Sequence, residues 1–486
     1  MNPGGEKSVK RESLWLLVSI ALTKLFEFGV NIVLARILFP EDFGIFGIVA
    51  MIQGLLLVLG GWGADAFVIY RQEGEGKDVL NAAFAINLIG GLLLTLLALA
   101  SAPLTAALFE NARIVPLQRI AAFAFLAQQL GLVHLALLQK SLRFATLAKI
   151  NGLSLISGFA LSIWLALSGY GVYSLVLPIL SNAILMTLGY WLAVRWKPGL
   201  PFRRQSAREV LSYGRNIFGA NFNAFLLQNI DFMIVAKLIG LQALGYYKLA
   251  FTLSMALVAV LGDLIVKVLL PTFSRANRDP RELRNLFRSS LEYIGGAALP
   301  LFAGLILVGH LIIPLFYGAK WQEAVVPFQL FCLLGLVTVL FKPANSMLKA
   351  VGQPQRIYRL SLVFLPITLL LIVAGIPWGL VGVTAGYCAA TIAFLVVLFR
   401  QAAREINMPV WSSLKPLGKF VLPVLLMMVA LFAMRYFYPL PGGSQLSALV
   451  VFVLMGAGIY LVSHFSLFYR ESAAFYQKLL SGLRSR

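Results

Sequence analysis

The first long apolar stretch of the chain, residues 14–37, carries Lys24, Glu27 and Asn31 inside it and Arg36 near its far end. About 20 apolar residues suffice to cross a bilayer as a helix. At the centre of such a helix a charged side chain costs about 3 kcal/mol, so a span that keeps two must give them something to face. Positions 24, 27 and 31 follow an i, i+3, i+7 spacing, which puts them on one helical face. That face looks at protein or water. Side chains of these types can hold a ligand by charge and hydrogen bonding.

A second stripe lies in residues 215–239, with Asn216, Asn221, Asn223, Gln228, Asn229 and Asp231. Asn221, Gln228 and Asp231 share one face, and Lys237 closes the stretch as Arg36 closes the first. Two stripes of this kind are expected to line a water-accessible cavity. The plainer alternative is a Lys24–Glu27 pair within one helix, with interhelical amide bonds holding the bundle together. Lys before Glu is the poorer order for such a pair, which favours the cavity. A third intramembrane charge, Lys342, precedes Pro343, which weakens a helix and frees carbonyls. Its alternative reading is a lysine snorkelling toward the interface about 10 Å away.

Catalytic chemistry has no such footing. His134, His310 and His464 are scattered over separate apolar stretches. Cys332 and Cys388 fall inside spans, where cysteine packs as a small apolar residue. No paired carboxylates, metal-ligand spacing or nucleophile–base arrangement is present, and loops beyond about 20 residues are lacking. The expectation is no enzyme, no catalytic residue and no metal.

The elements that must position these residues follow from composition. The 486 residues are 60% hydrophobic and 12% charged, with mean hydropathy +0.87, which excludes an ordinary soluble globular protein. Apolar runs recur from end to end, and the fold class is an all-α integral membrane protein with about fourteen spans. The formal charge of +21 would suggest nucleic acid in a soluble chain. Here roughly 31 of the 40 Lys and Arg fall on one side of the fourteen-span scheme, which predicts cytoplasmic termini. The first stretch is too long for a signal-peptide core and no small-residue cleavage site follows it, so it is kept as structure. The Arg281, Arg284, Arg288 and Leu283, Leu286, Phe287 alternation within 271–289 predicts a short amphipathic helix on the inner leaflet.

The two stripes belong to related halves. At an offset of 201, Ala35 meets Ala236, Arg36 meets Lys237, Gly44 meets Gly245 and Glu27 meets Gln228. Further on, Gly171 meets Gly379 at an offset of 208. A six-helix unit duplicated in parallel orientation is expected, with a substrate path between the copies. The predicted division is an N-terminal lobe 1–205, a C-terminal lobe 206–405, and a final helix pair with its tail at 406–486. The LARILFPEDFG run at 34–44 is expected to be one copy of a duplicated helix-end turn, architectural in role.

LARILFPEDFGIFGIV after the first span, LLQKSLRF at 137–144 and GYGVYSLV at 169–176 resemble the polysaccharide-exporter branch of the multidrug/oligosaccharidyl-lipid/polysaccharide flippase superfamily. The resemblance covers most of the first twelve spans. It implies a two-lobed, V-shaped bundle that alternates between inward- and outward-open states. It also implies a flippase for undecaprenyl-pyrophosphate-linked oligosaccharide in the bacterial inner membrane, with a polysaccharide polymerase and chain-length machinery as partners. The cationic cavity residues of such flippases map onto Lys24, Arg36, Lys237 and Lys342, and Asn31, Asn221 and Gln228 would bond sugar hydroxyls. Glu27 or Asp231 would hold a coupling proton or cation (H+ or Na+), with no other cofactor. The alternatives within the superfamily are a cation-coupled multidrug exporter and a lipid II exporter.

Overall fold

A computed structural model describes residues 26–60, 67–69, 77–199, 205, 208–210, 222, 225–226, 229–437 and 445–467. The described residues are helical, apart from turns and the non-helical stretch 194–199. Residues 26–37 form α1, followed by α2 (Pro40–Gly60), α3 (Lys77–Leu108), α4 (Ile114–Lys140), α5 (Phe144–Leu167) and α6 (Tyr173–Ala193). Residues 229–238 form α7. Then come α8 (Leu241–Ala276), α9 (Pro280–Tyr317), α10 (Val325–Ala350), α11 (Pro354–Gly375), α12 (Gly379–Glu405), α13 (Gly418–Phe437) and α14 (Gln445–Leu467).

Eleven helical segments among the described residues are long and apolar enough to cross a membrane. One of them, Pro354–Glu405, contains both α11 and α12 joined by a single 3-10 turn. About half of the first and of the seventh predicted spans lies outside the described residues, and α1 and α7 are their far ends. The protein is a multi-pass helical membrane protein.

The chain forms two compact units, Met1–Lys248 and Leu249–Arg486. The predicted division at 205/206 falls in the stretch 200–228, most of which lies outside the described residues.

In the first unit, lipid tails supply no hydrophobic drive for helices to associate, so small residues and buried hydrogen bonds do that work. Gly91 of α3 admits Gln129 of α4, whose Cβ would be 2.9 Å from a side chain built at Gly91. One turn along, Thr95 Oγ1 donates to the Ala122 carbonyl at 3.2 Å, and Gln118 Nε2 donates to the Ala98 carbonyl and to Ser101 Oγ, each at 3.0 Å. The α5–α6 turn needs Gly169 and Gly171, at φ +82° and +53°.

In the second unit, α9 starts on Pro280 with Asp279 as cap, its carboxylate accepting from the Arg281 amide at 2.8 Å. The predicted surface helix within 271–289 is therefore the continuous opening of α9. Its apolar side meets protein: Leu283 and Phe287 are buried with Phe273, Met347 and Phe399. α13 and α14 pack on α9 through Met427, Leu431, Phe452 and Val308. Tyr460 of α14 donates to the Gly296 carbonyl at 3.0 Å, and Lys419 of α13 pairs with Glu292.

Candidate substrate path

Proline at the first helical position costs no hydrogen bond, so FPED reads locally as a helix start. Pro40 opens α2, and Asp42 reaches back to accept from the Phe39 amide at 3.2 Å, as the acid of a capping box does. The remaining Asp42 oxygen accepts from Arg113 Nη2 at 3.0 Å, and Arg113 Nη1 lies 3.6 Å from Glu41. Arg113 belongs to the α3–α4 turn, so the LARILFPEDFG run is a helix-end turn tied down by a neighbouring turn. The α7–α8 turn has Gly240 at φ +119° before α8 opens at Leu241.

These two turns meet within the first unit. A Cβ added to Gly44 would lie 1.8 Å from the Leu241 carbonyl oxygen, and one added to Gly245 would lie 1.9 Å from that of Pro40. The offset of 201 that aligns Gly44 with Gly245 also aligns Pro40 with Leu241. Each glycine thus touches the repeat-equivalent of the residue that the other touches. That reciprocity is the signature of a two-fold contact, here between the openings of α2 and α8. The seam continues at Gly47, which faces Leu244 and Lys248, and Lys248 Nζ sits 4.2 Å from the Phe46 ring centroid. The second aligned pair agrees, since Gly171 and Gly379 both hold positive φ, +53° and +61°, at the approach to a helix.

The candidate residues divide as follows. On α1, Asn31 Nδ2 donates to the Glu27 carbonyl at 2.8 Å, Glu27 and Asn31 are half-buried, and Arg36 is exposed. Lys24 lies outside the described residues, as do Asn221 and Gln228. On α7, Asp231 is fully buried. Its Oδ2 accepts from Tyr247 Oη at 2.8 Å, whereas its Oδ1 has no hydrogen-bond partner among the described residues. At the end of α7, Lys237 Nζ lies 2.6 Å from Glu110 Oε1 in the α3–α4 turn. The lysine's hydrogen bond and charge hold the Glu110 carboxyl below the usual carboxylate range. Lys342 lies in the second unit, on α10, half-buried across the glycine face of α8: a Cβ at Gly262 would fall 2.2 Å from its Nζ.

Sequence reasoning did not find Tyr247, Glu110 or Gly262. Tyr247 was within reach, because it lies two residues past the aligned glycine Gly245. Glu110 and Gly262 carry no local signal, since their partners come from distant helices. His134 is packed rather than placed for chemistry: its ring stacks on Trp191 at 4.6 Å and its Nε2 lies 3.2 Å from the Trp196 carbonyl. No group of three His, Cys, Asp or Glu side chains among the described residues is placed to hold a metal.

A protein family described as "polysaccharide biosynthesis protein" matches residues 33–326. The lipopolysaccharide biosynthesis protein WzxC of Escherichia coli (strain K12) is 25% identical over 79% of this chain and 81% of its own length. The succinoglycan biosynthesis transport protein ExoT of Rhizobium meliloti (strain 1021) is 23% identical over 99% of this chain and 96% of its own. Among solved structures, the lipid II flippase MurJ in its inward closed conformation superposes with a TM-score of 0.77, at 18% identity, over 95% of this chain and 100% of that one.

Proposed function

The chain belongs to the polysaccharide biosynthesis protein family, and from that premise we propose that it flips a polyprenyl-pyrophosphate-linked oligosaccharide across the bacterial inner membrane. The direction is from the cytoplasmic to the periplasmic leaflet. The observation that carries this reading is the reciprocal Gly44/Gly245 seam. It supports a bundle of two related lobes, here 1–205 and 206–405, that rock about a shared contact. The charge distribution supports cytoplasmic termini, and with that orientation the seam and the Lys237–Glu110 pair would lie at the periplasmic end.

In this mechanism, opening toward the cytoplasm admits the headgroup while the polyprenyl tail stays in lipid. Lys24 and Lys342 attract the pyrophosphate and any acidic sugars, with Asn31, Asn221 and Gln228 bonding hydroxyls. Arg36 and Lys237, near the seam, would meet the anion as it leaves, Lys237 exchanging Glu110 for it. Asp231 is the better placed of the two acids for a coupling proton or cation: it is wholly buried, accepts from the Tyr247 hydroxyl, and pairs with no cation among the described residues. A polysaccharide polymerase and its chain-length partner would take the product at the outer leaflet.

The test is complementation of a strain lacking its own exporter. The wild-type chain should restore surface polysaccharide, and Lys24→Ala, at normal expression, should reduce it at least tenfold. Full export by that variant removes Lys24 from the mechanism. No complementation, combined with resistance to cationic drugs on overexpression, would replace the reading with multidrug export.

A further inference from the structure

Helix α10 carries more polar chemistry than its lysine. Asn345 and Ser346 follow Lys342 at i+3 and i+4, so all three lie along one side of the helix. Ser346 is 2% exposed, and neither its hydroxyl nor Asn345 Oδ1 has a hydrogen-bond partner among the described residues. Buried polar atoms are nearly always paired, because an unmet one costs about 1–3 kcal/mol. Two of them fall on one helical turn beside a lysine.

The facing helix is cut away at the same level. A side chain at Gly262 of α8 would begin 2.2 Å from Lys342 Nζ, 2.4 Å from its Cε and 2.5 Å from its Cδ. Gly262 sits inside a helix, where glycine is disfavoured by about 1 kcal/mol against alanine. The outer half of the Lys342 side chain occupies the space that any other residue would fill.

We propose that Lys342, Asn345 and Ser346 form an anion subsite for a diphosphate group, and that Gly262 is its positioning residue. The ammonium supplies charge, the Ser346 hydroxyl donates to a phosphate oxygen, and the Asn345 amide, turned to present its nitrogen, donates a second hydrogen bond. The diphosphate rests on the flippase reading; the geometry of the subsite does not.

The three atoms nearest an alanine Cβ at position 262 are the flexible end of Lys342, so the substitution moves the ammonium at little cost to stability. The experiment uses the full-length protein in detergent and titrates geranylgeranyl diphosphate against geranylgeraniol as the uncharged control. Gly262→Ala and Lys342→Ala should each weaken diphosphate binding about tenfold, and the double variant should lose no more than either alone. The alcohol should bind all variants equally, and the melting temperature of Gly262→Ala should stay within a few degrees of wild type. Ser346→Ala removes one atom, tolerates folding in any case, and should weaken the diphosphate selectively.

Independent, additive losses for Gly262→Ala and Lys342→Ala would overturn the positioning role. Unchanged diphosphate affinity in Ser346→Ala and Lys342→Ala would overturn the subsite. Export in the complementation assay with unchanged affinities would sink the subsite and leave the flippase standing; coupled affinity losses without export would do the reverse.

Discussion

Replacing Gly44 by alanine tests the seam most directly. The new Cβ would sit 1.8 Å from the Leu241 carbonyl oxygen and 2.7 Å from its carbonyl carbon, both backbone atoms that cannot rotate away. Reaching van der Waals contact requires α2 and α8 to part by about 1.5 Å at this level. Overpacking of this kind costs about 1–3 kcal/mol, and parting the helices also opens the contacts of Gly47 with Leu244. A destabilisation of about 2–3 kcal/mol, confined to the closed seam, would change its population relative to the open one by about 30- to 150-fold. Spin labels at Phe39 and Leu238, both exposed and flanking the two turns, report the separation by pulsed electron resonance. Wild type should give one short, narrow distance distribution, and Gly44→Ala a longer population. Gly245→Ala should do the same. The double variant should add little, since helices already parted accommodate both methyl groups. Unchanged distance distributions in both single variants, in protein that remains folded, would refute the argument.

Leu142 ends α4 at φ +54°, a region that disfavours side chains by about 1–2 kcal/mol, so Leu142→Gly should raise the melting temperature if the φ is retained. The Lys237–Glu110 contact should respond to pH in one direction. The folded-state Glu110 carboxyl lies below its ordinary value, so its stabilisation is present at neutral pH and is lost as pH falls through that lowered value. Glu110→Gln should remove this acid-side loss from a stability-against-pH profile, and added salt should weaken the pair in the wild type. Tyr247→Phe takes away the one hydroxyl that Asp231 accepts from, and should destabilise the fold by about 1–3 kcal/mol in denaturant titration. In the Asp231→Asn background the same change should cost less, because a neutral amide replaces the carboxylate. Equal costs in both backgrounds would show that the hydroxyl does not serve the acid.

The resemblance to polysaccharide exporters, the all-helical membrane fold and the duplicated turn were legible in the sequence, each for a stated reason. A span declares itself by length and hydropathy, and a helix start by Pro40 and the Glu41–Asp42 pair behind it. Gly44 and Gly245 stand out because only a residue without a side chain lets two helix backbones touch. The amphipathic surface-helix reading of residues 271–289 misjudged the environment because periodicity identifies an apolar face without identifying what covers it. Lipid, headgroups and the Phe273–Phe399 cluster all satisfy Leu283 and Phe287 equally well in the pattern, and only the packed structure chooses among them.

The residues missed share a cause that bears on the substrate path. A charge in an apolar stretch can be seen from sequence, but its partner comes from another element at no fixed separation: Glu110 for Lys237 across 127 positions and Tyr247 for Asp231 across 16. Pairing changes what each candidate can offer. Lys237 must exchange Glu110 before it meets an anion, and the Asn31 amide already donates to its own helix. A ligand that competes with an existing hydrogen bond gains only the difference between the two, whereas one that satisfies an unmet buried group gains the full avoided penalty. If the proposed diphosphate subsite holds, Ser346→Ala should therefore cost more diphosphate affinity than Lys237→Ala, whose lysine must first give up Glu110.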